Sequence, residues 1–104
     1  MWYSVDALIK NIVGCPEHNT LWEEVIFLVN ANDETDAEDK IRNKLMNENC
    51  EYLAQSGETI KWEFDSILMT YEILSDQIAD GTELFSRFLK KEEVASLKTP
   101  FDDL

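Results

Sequence analysis

Residues 57–73 read GETIKWEFDSILMTYEI, the longest run of the chain that keeps a period of two. From Ile60 to Phe64, apolar and charged residues alternate, which is typical of a β-strand with one buried face and one wet face. From Ser66 the pattern changes, because Ile67, Leu68 and Met69 are consecutive apolar residues, which predicts that the second half of the strand is covered on both faces. Residues 50–55 are β-compatible and predict a hairpin with this strand. The stretch is therefore the predicted central strand of a sheet.

Two further strands are predicted nearer the N-terminus. Residues 2–13 alternate loosely between two faces and predict the first strand. Residues 20–31 are rich in β-branched and aromatic side chains, and the second half of this segment is apolar on both faces. This pattern favours a second strand that lies in the middle of the sheet.

Residues 32–46 change to a helical period. The apolar stripe of this predicted helix consists of Ala37, Ile41 and Leu45. Two caps are compatible with its start: a capping box formed by Thr35 with Glu38, or Asp33 acting alone. The acidic residues at its start and the basic residues at its end suit the helix macrodipole.

The C-terminal part allows two interpretations. Residues 82–89 favour a further strand, followed by a short helix over residues 91–97, but apolar spacing also fits one helix over residues 83–97. We expect the first arrangement. The predicted fold class is then α+β: a single mainly antiparallel sheet of four to five strands, one amphipathic helix on one face and a short C-terminal helix, in the order β-β-α-β-β-β-α.

Length and charge bound the function. The chain has 104 residues, which fits one domain over residues 1–97, with residues 98–104 as a flexible tail. The 22 acidic residues against 9 basic ones give a formal net charge of −13. Such charge disfavours nucleic acid and anionic membranes, and it fits a basic protein partner, a cation or simply solubility. The sequence shows neither a signal peptide nor a membrane span, so a cytoplasmic protein is expected.

Catalytic and metal-binding patterns are weak. Cys15 and His18 supply a thiol and an imidazole, but a zinc site would also need Cys50 and a carboxylate at no recognisable spacing. The acidic run 33–39 lacks the glycine of a calcium loop, and 3 glycines in the chain cannot build a phosphate cradle. No catalytic residue, cofactor or metal is predicted. A small carboxylate- or metal-dependent enzyme is the alternative, and it would depend on Cys15 or His18.

Recognition of a partner is the favoured function. The candidate surface combines acids of the predicted sheet with a tryptophan anchor, and its residues are Glu24, Glu51, Lys61, Trp62, Glu63 and Asp65. The competing interpretation places all three tryptophans in the core. We therefore expect a non-enzymatic acidic protein-binding module, such as an immunity-type inhibitor of a basic toxin or nuclease. A structural homodimer built on an open edge strand is the other alternative.

Three short motifs resemble a known family. They are MWYSV at residues 1–5, GETIKWEF at residues 57–64 and DGTELFSR at residues 80–87, and a strand followed by an acidic helix start lies between the first two. Together they resemble the bacterial family called domain of unknown function 4288, over about residues 2–89. The resemblance implies a small bacterial cytoplasmic protein in which residues 80–87 belong to the closing strand. It brings no catalytic residues with it.

Overall fold

A computed structural model describes residues 1–13, 19–48, 50–53, 55, 57–74 and 78–99. These residues form, in chain order, β1 (Trp2–Val13), β2 (Asn19–Asn30), α1 (Glu34–Glu48), β3 (Cys50–Leu53), β4 (Thr59–Glu72) and α2 (Lys91–Lys98). The strands make one antiparallel sheet in the order β2-β1-β4-β3. The predicted α+β class, with an antiparallel sheet and two helices, is confirmed.

The core lies between the sheet and α1. One side of β1 is buried, with at most 4% of each residue exposed, at Tyr3, Val5, Ala7 and Ile9. Against it pack the stripe residues of α1, which are Ala37, Ile41 and Leu45, as their spacing predicts. We call this side of the sheet the helix face.

Asp33 caps the start of α1. Its Oδ1 accepts a hydrogen bond from the backbone N–H of Asp36 at 2.8 Å, which satisfies one of the free donors of the first turn. The carboxylate of Asp36 in turn accepts from the backbone N–H of Asn32 at 3.0 Å. Of the two caps that the sequence allowed, Asp33 is therefore the one used. This cap holds the helix at the point where the chain leaves the sheet.

The other side of the sheet, which we call the open face, carries no helix among the described residues. On β1 it consists of Ser4, Asp6, Leu8 and Lys10. The β2 residues in register with them are Leu28, Ile26, Glu24 and Trp22. Because side chains alternate along a strand, these two rows point to the same side of the sheet.

β4 contains two β-bulges that change its phase. The register with β1 shifts between Asp6 and Ala7 and again between Leu8 and Ile9. The β4 residues that lie on the helix face are consequently Ile60, Trp62, Phe64, Ile67 and Thr70. The prediction that the second half of β4 is covered on both faces is wrong, because Leu68 and Met69 are exposed. The consecutive apolar residues reflect the phase change as well as burial.

β2 lies at the edge of the sheet and not in its middle, so that prediction is also wrong. Its inward row, Val25, Phe27 and Val29, packs on the core. Its outward row includes Ile26 and Leu28, which stay about half exposed. An apolar run shows that two faces are apolar, but it does not say which element covers the second one.

The predicted strand over residues 82–89 is wrong. These residues form neither strand nor helix, so the order after β4 is a turn, an extended segment and α2. The turn uses Gly81 at φ +86°, a conformation that side chains disfavour, and the N–H of Thr82 donates to the carbonyl oxygen of Ala79 at 3.1 Å. β3 pairs with β4 only over residues 59–62, and residues 82–89 do not extend the sheet beside the rest of β4. They cross the open face instead.

α2 agrees with the predicted short helix at 91–97, with one residue more. The N–H of Lys90 donates to Oε1 of Glu93 at 3.0 Å, as in a capping box. α2 packs against no other helix or strand of the described chain, and both Phe88 before its start and Leu97 in its last turn are exposed. Most of the predicted tail, residues 100–104, lies outside the described residues.

Candidate functional site

The predicted binding residues are divided between the two faces of the sheet. Lys61 and Glu63 form an ion pair at 2.7 Å on β4, on the side opposite Trp62. Trp62 packs against the core on the helix face. Asp65 pairs with Lys10 of β1 at 3.7 Å. The expected continuous negative surface on this half of β4 is thus interrupted by two cations.

The remaining predicted residues lie elsewhere. Glu24 is exposed on the open face of β2, in register with Leu8 of β1. Glu51 is the partner of Lys61 in the β3–β4 ladder, and its side chain lies outside the described part of the structure. Cys15 and His18, on which the enzymatic alternative depends, also lie outside it. The structure brings Glu24 instead to a residue that sequence reasoning did not select, Asp6.

Asp6 is a buried carboxyl in the middle of the open face. It lies on β1 between Ile26 of β2 and Met69 of β4, and only 2% of its surface is exposed. Its Oδ1 has no hydrogen-bond partner among the described residues, and neither has the hydroxyl of Ser4, the next residue on the same face. Buried polar atoms normally find partners, so two such atoms on one face mark an unusual place.

The surroundings of Asp6 favour its neutral form. Burial is the largest cause that raises the pKa of Asp6, followed by a hydrogen bond and charge repulsion from Glu24, and together they bring it to about 7. The guanidinium of Arg87 acts in the opposite direction and lowers the pKa of Asp6. At neutral pH, the Asp6–Glu24 pair therefore shares a proton for a large part of the time.

A cavity lies on the open face beside Ser4 and Ile26, and Asp6 is not among its lining residues. It has a volume of about 80 Å³, and its lining residues are Ser4, Ile26, Phe27, Leu28 and Leu84. Ser4 brings its unpartnered hydroxyl to an otherwise apolar lining. Leu84 belongs to the extended residues 82–89, which we call the covering segment.

Polar and aromatic contacts attach the covering segment to β4. The hydroxyl of Tyr71 donates to Oε2 of Glu83 at 2.6 Å, and the Tyr71 ring meets the Phe85 ring edge to face at 6.2 Å between centroids. The hydrogen bond to Glu83 is the largest cause that raises the pKa of Tyr71, while Ser86 lowers it. These contacts place Leu84 and Arg87 over the open face.

Around this site the open face exposes large apolar side chains. Trp22, Ile26 and Leu28 of β2 have exposed fractions of 52%, 50% and 51%. Lys10 lies over the Trp22 ring at 5.0 Å from its centroid, a cation–π contact. Several large apolar side chains exposed on one face beside charged groups are typical of a binding surface.

The part of the chain that the structure describes contains neither a cluster of metal ligands nor a membrane-spanning helix. Among the described residues no group of three or more His, Cys, Asp or Glu side chains converges as metal ligands would. Neither described helix has the length and apolar character that crossing a membrane requires.

Comparison with known protein families identifies the family of this chain. Residues 2–86 match the family model described as Domain of unknown function (DUF4288). The chain belongs to this DUF4288 family. The match covers the sheet, α1 and the covering segment to Ser86, so the open face is built within the family domain, whereas α2 follows it. No curated protein and no solved structure gave a significant match.

Sequence reasoning missed Asp6 for a physical reason. On its strand, Asp6 occupies an outward position between apolar residues, which is where a solvated carboxylate is expected. Its burial comes from the covering segment, and its pairing with Glu24 comes from the β1–β2 register. The one available signal was the apolar outward row of β2, which indicated that this face also has something to bury.

Proposed function

We propose that this DUF4288 protein is a non-enzymatic binding module that holds a basic protein partner on the open face of its sheet, acting as an immunity-type inhibitor of a basic toxin or nuclease. The observation that carries this is the half-exposed apolar row Trp22, Ile26 and Leu28 beside the acids Asp6 and Glu24. Apolar anchors next to charges of one sign form the pattern of a protein interface.

The apolar row supplies affinity. Each of the three side chains leaves roughly 100 Å² to be covered, which at about 25 cal/mol per Å² is about 2.5 kcal/mol for each on binding. The gross gain of about 7.5 kcal/mol comes from roughly 300 Å², and the ordering costs of association are of similar size, so a stable complex would bury further surface around this row.

The charge supplies selectivity and speed. A formal net charge of −13 attracts basic proteins over a distance of about one Debye length, ~8 Å at physiological salt. Lys10 and Lys61 neutralise the adjacent part of β4, whereas Glu24 of β2 forms no ion pair to a base among the described residues. Binding should consequently weaken with salt, and mutations on β2 should matter more than mutations on β4.

The test compares two substitutions of similar exposure on opposite faces. Ile26→Lys places a cation in the open face, and Met46→Lys adds the same charge on α1, where Met46 is 54% exposed. Tagged protein is mixed with extract of the native host, and retained proteins are identified and eluted with a salt gradient. We expect wild type and Met46→Lys to retain the same basic protein and Ile26→Lys to lose it. Absence of any basic protein on wild type at low salt, or equal loss by both variants, contradicts the proposed function.

A homodimer is the second candidate, favoured by the position of β2. This strand has 12 residues and pairs only with β1 among the described strands, so its outer backbone groups are available to a second copy. Sedimentation of pure protein over a hundredfold range of concentration decides between the two. A mass that stays monomeric throughout refutes the dimer and leaves the basic partner as the occupant.

A further inference from the structure

The centre of the open face combines the kinds of polar group that bind a cation. Asp6 and Glu24 direct two carboxyl groups toward each other, and Oδ1 of Asp6 and the hydroxyl of Ser4 are buried acceptors without a partner in the described chain. Two carboxylates this close repel each other, so the site holds a proton in place of a second charge. A cation with several donors would satisfy all of these groups together.

We propose that Ser4, Asp6 and Glu24 form a receptor for one guanidinium or ammonium side chain, an arginine or lysine, of the basic protein partner. This assignment rests on the proposed function and adds the chemical group that the partner presents. A cavity of about 80 Å³ beside Leu84 is lined by Ser4 and by Ile26, the residue in register with Asp6, so a ligand that reaches the buried carboxyl from this side has to pass these residues. The apolar lining suits the alkyl stem of an arginine or lysine side chain.

Arg87 of the covering segment shows which charge the site attracts. Its guanidinium lies close enough to lower the pKa of Asp6, yet it forms no ion pair with any described acid within 4.0 Å. Arg87 therefore stabilises the ionised Asp6 carboxyl from a distance, and a ligand cation can still form the direct ion pair. Arginine is the better-suited ligand, since its planar fork of five donors can bind two carboxylates and a hydroxyl simultaneously.

Binding to this receptor should depend on pH. The charged groups facing Asp6 are Glu24 from β2 and Arg87 from the covering segment, while β4 presents Met69 and α1 lies on the other face. A cation displaces the shared proton, so it binds the ionised form. With a pKa of about 7, ionised Asp6 rises from about 9% at pH 6 to about 91% at pH 8, and affinity should rise about tenfold.

The experiment titrates the full-length protein with N-acetylarginine amide and, as a matched neutral ligand, N-acetylcitrulline amide at equal ionic strength. The readout is the ¹³C shift of the Asp6 carboxyl and the amide shifts of Ser4 and Ile26. We expect the arginine ligand to lower the titration midpoint of Asp6, to bind about tenfold more tightly at pH 8 than at pH 6, and to bind Asp6→Asn at least tenfold more weakly. Asp80→Asn, an exposed residue of the turn, should bind like wild type.

Equal shifts with the citrulline ligand, or undiminished arginine binding by Asp6→Asn, overturn the receptor. Thermal unfolding of Asp6→Asn shows whether a lost response is a folding defect, and Glu24→Gln, an exposed change, repeats the test where folding is not at risk.

The capture experiment separates this inference from the proposed function. If Asp6→Asn retains the basic partner with wild-type affinity, the receptor is refuted and the binding function stands. If wild type captures no basic protein, the proposed function is refuted, and the ligand titration alone decides whether the cation site exists.

Discussion

Replacing Asp6 by asparagine should reduce the loss of folding stability that wild type shows as the pH rises through 7. The folded-state pKa of Asp6 is about 7, against an ordinary value of 3.8, so between these values the folded chain binds more protons than the unfolded chain. The stability contributed by the protonated carboxyl is complete below pH 3.8 and is lost as the pH rises through 7. An asparagine side chain carries no titrating proton, so the variant lacks this loss.

The size of the effect follows from the two pKa values. From pH 5 to pH 8 the linkage relation gives a fall in the free energy of unfolding of about 2.6 kcal/mol for wild type. Relaxation of the surroundings around the newly charged carboxyl reduces this value, so we expect roughly 1 to 2.6 kcal/mol. Other acids titrate in both proteins, and taking the difference between variant and wild type cancels their contribution.

Urea unfolding at pH 5 and pH 8 measures this difference, and Asp80→Asn serves as the control for removing one acidic charge. The free energy of unfolding of Asp6→Asn minus that of wild type should increase by at least ~1 kcal/mol from pH 5 to pH 8. The same difference for Asp80→Asn should change by less than ~0.5 kcal/mol. A change for Asp6→Asn no larger than that of the control would show that the carboxyl is solvated in the folded protein, and the account of its burial would be wrong.

Three further changes test the fold by chemical denaturation. Val5→Ala removes two methyl groups from a fully buried position on the helix face and should cost about 2 kcal/mol, whereas a cost below ~0.5 kcal/mol would mean that the core is loose. Gly81→Ala imposes a side chain on a residue at φ +86° and should cost about 1 kcal/mol, although no atom lies within 4 Å of the new Cβ; an unchanged free energy would argue against the positive φ. Ending the chain after Lys90 removes α2, which touches no other described element, so the free energy of unfolding should hold within ~0.5 kcal/mol; a larger fall would reveal packing of the C-terminal residues.

Periodicity predicted the parts of this fold that bury one face against one neighbour. The alternating residues of β1 and the stripe of α1 each define a single apolar surface, and those surfaces form the core. Asp33 and Thr35 were equally good caps by sequence, since a cap depends on backbone geometry at the first turn, and the structure selects Asp33.

The errors all concern the open face. Ile26 and Met69 are exposed where apolar runs predicted covered strands, because local sequence carries no information on which element covers a second face. Residues 82–89 have a strand-like pattern but pair with no described strand, because an alternating pattern does not specify a pairing partner. The candidate site lies on the open face, beside residues 82–89, and both of these features depend on tertiary structure. Its residues therefore could not be chosen from sequence spacing.

The two bulges of β4 have a consequence for how this strand can change length. Each bulge adds one unpaired residue to β4, so the strict alternation of its side chains is broken twice. Phe64, Ile67 and Thr70 therefore all lie on the helix face, although Ile67 has an odd residue number and the other two have even ones. Deleting either unpaired residue, Asp65 or Leu68, would restore plain alternation and leave Trp62 and Tyr71 on their present sides. Members of this family should therefore tolerate the loss of one residue at either bulge and resist it in the regularly paired parts of β4, where it would turn one end of the strand to the other face.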